Sequence, residues 1–174
     1  MSKLSVTSLF VAAGLASFSA FAQTPAQPTA GGLPARAPFD IPYGMPINLE
    51  SANQAIAAAE AEAARHGWPD AIAVTGPNGE LIAFAKMDDT QNAGPSIALR
   101  KAKTAARFRR ETRAFYNGFE TGHTYSATLD PSLAASPGGY PLVMNGKLVG
   151  GIGCSGGSGD QDADICKAGA DAVK

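Results

Sequence analysis

Apolar and polar positions alternate along this chain in three distinct patterns, and each pattern predicts an element. Ala52, Ile56, Ala59 and Ala63 recur every three or four residues, which predicts a helix with one buried stripe. Asn48 stands where it can cap that helix through Ser51. Arg65 and His66 suit the negative end of its dipole, and Gly67 supplies a C-terminal stop before Trp68-Pro69. Ala71–Thr75 and Leu81–Met87 are short apolar runs around Gly76-Pro77-Asn78-Gly79-Glu80, and they predict a β-hairpin. Ser96 is placed to cap a second helix that carries Ala98, Ala102, Ala105, Ala106 and Phe108 inward. From Glu111 to Pro137 the periodicity dissolves, and a long loop is expected there, with Phe115, Tyr116, Phe119 and Tyr125 as aromatic surface. Tyr140–Met144 and Leu148–Ile152 then flank Asn145-Gly146, a pair that readily adopts the positive φ angles of a two-residue hairpin turn. Gly153-Cys154-Ser155-Gly156-Gly157-Ser158-Gly159 is expected to end the ladder, with Asp160, Gln161 and Asp162 opening a last helix.

The order is helix, hairpin, helix, long loop, hairpin, helix. Two antiparallel hairpins forming one sheet, with helices packed on it, make an α+β domain over residues 47–174. Two segments precede it. Lys3, the apolar Leu9–Ala20 and the small-x-small Ala20-Phe21-Ala22 predict a secretory signal peptide in residues 1–22, cleaved after Ala22, and hence a periplasmic or secreted protein. Residues 23–46 are rich in proline and predict a linker or extended arm. No later stretch approaches the ~20 apolar residues of a membrane span, so no integral membrane segment is expected after processing.

Charge and cysteine content sharpen this picture. The formal net charge of −1 conceals a basic stretch, Arg100, Lys101, Lys103, Arg107, Arg109, Arg110 and Arg113, in which Glu111 is the one acid. It reads either as a solvated helix face or as a patch for a carboxylate or phosphate. Nucleic acid is a poor partner for an exported chain of this balance. Cys154 and Cys166 are the only cysteines. In an oxidising compartment they favour one disulfide if the last helix folds back on its strand, the alternative being two buried thiols.

Two familiar motifs fail on context. Gly153-Cys154-Ser155-Gly156-Gly157 matches the G-x-S-x-G of a nucleophile elbow, but His66 and His123 both lie upstream of the serine, whereas that triad needs its histidine downstream. Gly151-Ile152-Gly153-Cys154-Ser155-Gly156 matches G-x-G-x-x-G, but too little chain follows to form a second parallel strand. The amides around Gly153, Ser155, Gly156 and Gly157 remain a candidate cradle for a small anion. No histidine, cysteine or carboxylate spacing of a metal site occurs. His66 is explained by its helix end. His123 is either an exposed loop histidine or an axial ligand backed by the nearby aromatics.

Four stretches together carry a family resemblance. They are Ala71–Asp88 with its Pro-Asn-Gly-Glu-Leu turn, and Ser96–Phe108 with Arg-Lys-Ala-Lys-Thr-Ala. The other two are Gly138-Gly139-Tyr140-Pro141-Leu142 leading into Asn145–Gly157, and Gln161-Asp162 opening a helix that runs to Ala168-Gly169. From about Leu49 to the end the chain resembles the GlcG/HbpS-like family, which includes secreted haem-binding proteins and the C-terminal domain of PduO-type proteins. The resemblance implies an α/β sandwich-like domain, a homo-oligomer and, as in some members, non-covalent haem. It also implies a role in haem sensing, storage or redox protection with a receptor or sensor partner. His123 and Tyr125 are then the candidates for the iron, and Arg100, Lys103 and Arg107 the candidates for the propionates. No catalytic residue is assigned. The alternative is a binding protein or enzyme for a small carboxylate or phosphate, using the Gly-rich turn and the basic helix.

Overall fold

The computed structural model describes residues 39–173. The expected signal peptide, and the linker as far as residue 38, lie outside them. The elements are α1 (Leu49–His66), β1 (Ala71–Thr75), β2 (Leu81–Lys86), α2 (Gly94–Phe108), α3 (Arg113–Glu120), a 3₁₀ turn (Thr124–Thr128), β3 (Gly139–Met144), β4 (Lys147–Ser155) and α4 (Gly159–Asp171). The four strands form one antiparallel sheet in the order β2-β1-β4-β3. Each predicted hairpin contributes two neighbouring strands, and the two hairpins join through β1 and β4. The fold class is the expected α+β.

Helices α1 and α4 cover one face of the sheet and α2 covers the other, leaving Leu81 and Phe84 of β2 exposed. Ile72, Val74, Ile152 and Cys154 point to α1 and α4, whose alanines, Ile56 and Ile165 complete the larger core. Ala71 and Ala73 point the other way, against Ala98 and Ala102 of α2. On this face β4 meets the helix with Gly151 and Gly153. A Cβ on Gly153 would lie 2.1 Å from the Ala98 carbonyl, and one on Gly151 2.4 Å from that of Ala102. The helix backbone therefore rests directly on the strand, an approach only glycine permits. This corrects the expectation that the ladder ends before Gly153. Gly153, Cys154 and Ser155 pair with Ala73, Ile72 and Ala71.

Several local expectations hold at the level of single bonds. Asn48 Oδ1 accepts from the Ser51 amide at 2.8 Å, and Gly67 is left-handed at φ 68°. Asn145 and Gly146 both have positive φ, 50° and 73°, as a two-residue hairpin turn requires. Cys154 and Cys166 form the disulfide, with Cα atoms 5.5 Å apart, tying β4 to α4.

Two expectations fail. Ser96 does not cap α2: the helix starts at Gly94 with Pro95 in its first turn, where a missing N–H costs nothing. Ser96 Oγ instead donates back to the Ala93 carbonyl. The long loop also contains structure. Residues 113–120 form α3, a helix too short to show a clear period, which buries only Phe115.

Candidate functional site

The residues that carry the sequence signature converge on a buried polar knot. Lys101 is 1% exposed although it belongs to the basic run. Its Nζ donates to Asp162 Oδ2 at 2.6 Å and to the Cys154 carbonyl at 2.9 Å. Asp162 Oδ1 in turn accepts from the amides of Gly156 (3.1 Å) and Gly157 (2.9 Å). Ser158 and Gln161 close a reciprocal capping box over the start of α4. Ser155 is buried as the last residue of β4. The amides that the sequence offers to an outside anion are therefore held by the protein's own carboxylate. Asp70 lies beside this knot, with Oδ1 accepting from the Ala71 amide and Oδ2 without a partner. Burial, reinforced by the negative charge of Asp162, pushes its carboxyl up to about 7.

The pairing of Lys101 with Asp162 is not among the sequence expectations, but one signal for it is present. Position 101 falls on the stripe of Ala98, Ala102 and Ala105, so a lysine there faces inward and demands an acid.

The remaining cations of α2 are engaged by the chain that follows it. Arg107 pairs with Asp130 at 2.6 Å and donates to Ser132 Oγ at 3.3 Å. Hydrogen bonds from Ser132, with Arg107 adding its charge, hold the Asp130 carboxyl below the usual carboxylate range. Arg100 donates to the Leu133 carbonyl at 3.0 Å. Arg100 and Arg107 line an open hollow of about 620 Å³ with Asp130, Pro131 and Ser132. Lys103 packs with Arg107 over the turn at Gly79.

His123 and Tyr125 lie elsewhere, in a cavity of about 220 Å³ between α3 and the 3₁₀ turn. Phe115, Ala114 and Leu129 provide its apolar wall, and Arg110 its cation. His123 Nδ1 is 3.1 Å from Thr121 Oγ1, which leaves Nε2 as the ring nitrogen without a partner among the described contacts. The Tyr125 ring stands edge-on to the imidazole with centroids 6.3 Å apart, and the residue is 63% exposed. The structure thus brings the two iron candidates together, but not with Arg100, Lys103 or Arg107, which line other surfaces.

This cavity combines an imidazole and a phenol, both of the types that ligate haem iron, with a guanidinium and aromatic walls. Its volume takes only an edge of a porphyrin, since pockets that enclose a ligand of that size run to roughly 300–1,000 Å³. Tyr125 and Leu129 form an exposed apolar rim at its mouth. The donors fit. Full enclosure would need a further covering surface.

The family model described as "Haem degrading protein HbpS-like" matches residues 47–171. The chain belongs to the HbpS-like family. Among this family's curated relatives, Protein GlcG of Escherichia coli K12 is 38% identical over 109 residues, 63% of this chain and 81% of GlcG. A crystal structure of a Streptomyces reticuli HbpS double mutant superposes with a TM-score of 0.70 at 28% identity, covering 84% of this chain and 99% of that one. The PduOC–haem complex superposes at 0.69 with 26% identity, over 75% of this chain and 96% of that chain. This chain thus has the fold of HbpS and of PduOC, the latter solved as a haem complex. Among the described residues, no helix is long and apolar enough to cross a membrane.

Proposed function

We propose that this chain is an exported protein that binds haem non-covalently at the cavity between α3 and the 3₁₀ turn, with His123 or Tyr125 approaching the iron. The observation that carries this reading is the pairing of His123 and Tyr125 on an aromatic wall beside a guanidinium, in a chain with the fold of the PduOC–haem complex. Haem supplies redox and ligand-binding chemistry at its iron. The protein's part is to bury one porphyrin edge against Phe115 and Leu129, and to present a nitrogen or oxygen donor. The small cavity and the exposed rim favour a homo-oligomer, in which a second copy covers the outer porphyrin face. Sensing, storage or redox protection, with a receptor as downstream partner, is the role that fits an exported protein of this kind.

Titrating the purified protein with haem and following the Soret band tests the reading. A red-shifted, saturable band that changes when His123→Ala and Tyr125→Phe are combined is the expected result. No shift on adding haem, or a shift unaltered in that double variant, defeats it. Export is tested separately by the mass of the mature chain from a periplasmic fraction, which should begin at Gln23.

A further inference from the structure

We propose that Arg110, and not Arg100, Lys103 or Arg107, holds a carboxylate of the ligand bound at the His123 cavity; the inference rests on the haem reading above and identifies the anion contact within it. Arg109 caps α2 in the left-handed conformation, φ 53°, so the chain turns sharply and Arg110 leaves the basic helix face. Its guanidinium is then held between two rings, 3.8 Å from the Phe39 centroid and 4.4 Å from that of Phe115. The stacking fixes its plane and excludes water from its faces, while leaving its edge for hydrogen bonding.

Among the described residues, no acceptor pairs with that edge. Arg110 Nε is buried and makes no hydrogen bond. The other described arginines are all engaged. Arg65, Arg107 and Arg113 pair with Glu62, Asp130 and Asp160, and Arg100 and Arg109 donate to backbone carbonyls. A partly buried cation whose Nε lacks a partner is costly, and a guanidinium whose plane is fixed by two rings is suited to pair with a carboxylate. Arg110 also lines the cavity that contains His123 and Tyr125, whereas Arg100 and Arg107 line a different hollow. The complementary ligand is therefore an apolar, planar molecule bearing a carboxylate, which describes haem through its propionates.

Haem and its dimethyl ester, which lacks both negative charges, separate the anion contact from the rest of binding. The wild-type protein should bind haem at least tenfold more tightly than the diester by Soret titration. Arg110→Gln should reduce haem affinity to that of the diester while leaving the diester within about twofold. The pair Arg100→Gln and Arg107→Gln should preserve the discrimination. Should Arg110→Gln fail to fold, as judged by circular dichroism, Arg110→Lys replaces it, with the discrimination reduced at least threefold. Equal wild-type affinity for the two ligands overturns the proposal, and so does discrimination that survives in the Arg110 variant. If that discrimination survives while the His123/Tyr125 double variant changes the spectrum, the haem reading stands and the Arg110 inference alone falls. No Soret change with haem in the wild type overturns both.

Discussion

Asp70 and the Lys101–Asp162 pair share one buried site containing two acids and one base, and this imbalance governs how the fold responds to pH. Asp70 is fully buried, and its carboxyl is pushed up to about 7 against an ordinary 3.8, by burial first and Asp162 second. With the folded value above the unfolded one, the native state holds the extra proton between those values. Stability therefore falls as pH rises from about 4 to 7. Asp70→Asn should remove that part of the slope and stabilise the protein at pH 7.5 by a few kcal/mol, since each tenfold difference in proton affinity between the folded and unfolded chain is worth roughly 1.4 kcal/mol. Urea melts across that range check it; a slope equal in wild type and variant would refute the assignment. The pair itself behaves differently. Removing either partner leaves a buried charge, so Lys101→Met or Asp162→Asn should each cost about 3–5 kcal/mol. The double replacement should cost clearly less than the sum, because neither charge is then stranded, and a double-mutant cycle in urea measures this.

The elements depend on how β4 is held on its two faces. Towards α2, Gly151 and Gly153 admit the helix backbone; towards α4, Cys154 is bonded to Cys166. The disulfide closes a short loop and by chain entropy contributes about 3 kcal/mol. Replacing both cysteines by alanine should lower unfolding free energy by about that amount while leaving far-ultraviolet circular dichroism unchanged. Alkylation of the unfolded protein without reductant should label neither cysteine. The hairpins and the first helix are legible in the sequence because their signals are local: a cap at Asn48, a stop at Gly67, Asn145-Gly146 between apolar runs. The extra length of β4 is not, since glycine reads locally as a breaker, and its place in the ladder is set by a helix more than forty positions away. The same reason hides the site's geometry. His123 and Tyr125 stand out by residue type, and the structure places them together. Which arginine accompanies them depends on the left-handed turn at Arg109, which periodicity does not report.

At the scale of the whole molecule, the described part of the proline-rich arm is an integral part of the sheet. Tyr43 forms a parallel bridge with Leu148, where β4 runs past the end of β1. Gly44 N donates to the Leu148 carbonyl, Leu148 N to that of Pro42, and Ile47 N to that of Val149. Tyr43 Oη donates to the Arg107 carbonyl, Arg109 to that of Ile41, and Phe39 covers Arg110. The arm thus satisfies backbone groups that would otherwise form an open sheet edge, and it fixes the C-terminal end of α2. At about 1 kcal/mol net per hydrogen bond, offset in part by the entropy of ordering the segment, a chain beginning at Ile47 should lose about 2–4 kcal/mol. Hydrogen exchange locates the effect. The Leu148 amide should lose at least tenfold protection in the shortened chain, while amides in the centre of β1 fall only with global stability. Because Phe39 forms one side of the stack on Arg110, the same truncation should weaken haem binding more than it weakens binding of the dimethyl ester. Unchanged protection at Leu148 would show that the arm does not hold the edge in solution, and preserved discrimination would detach it from the cavity.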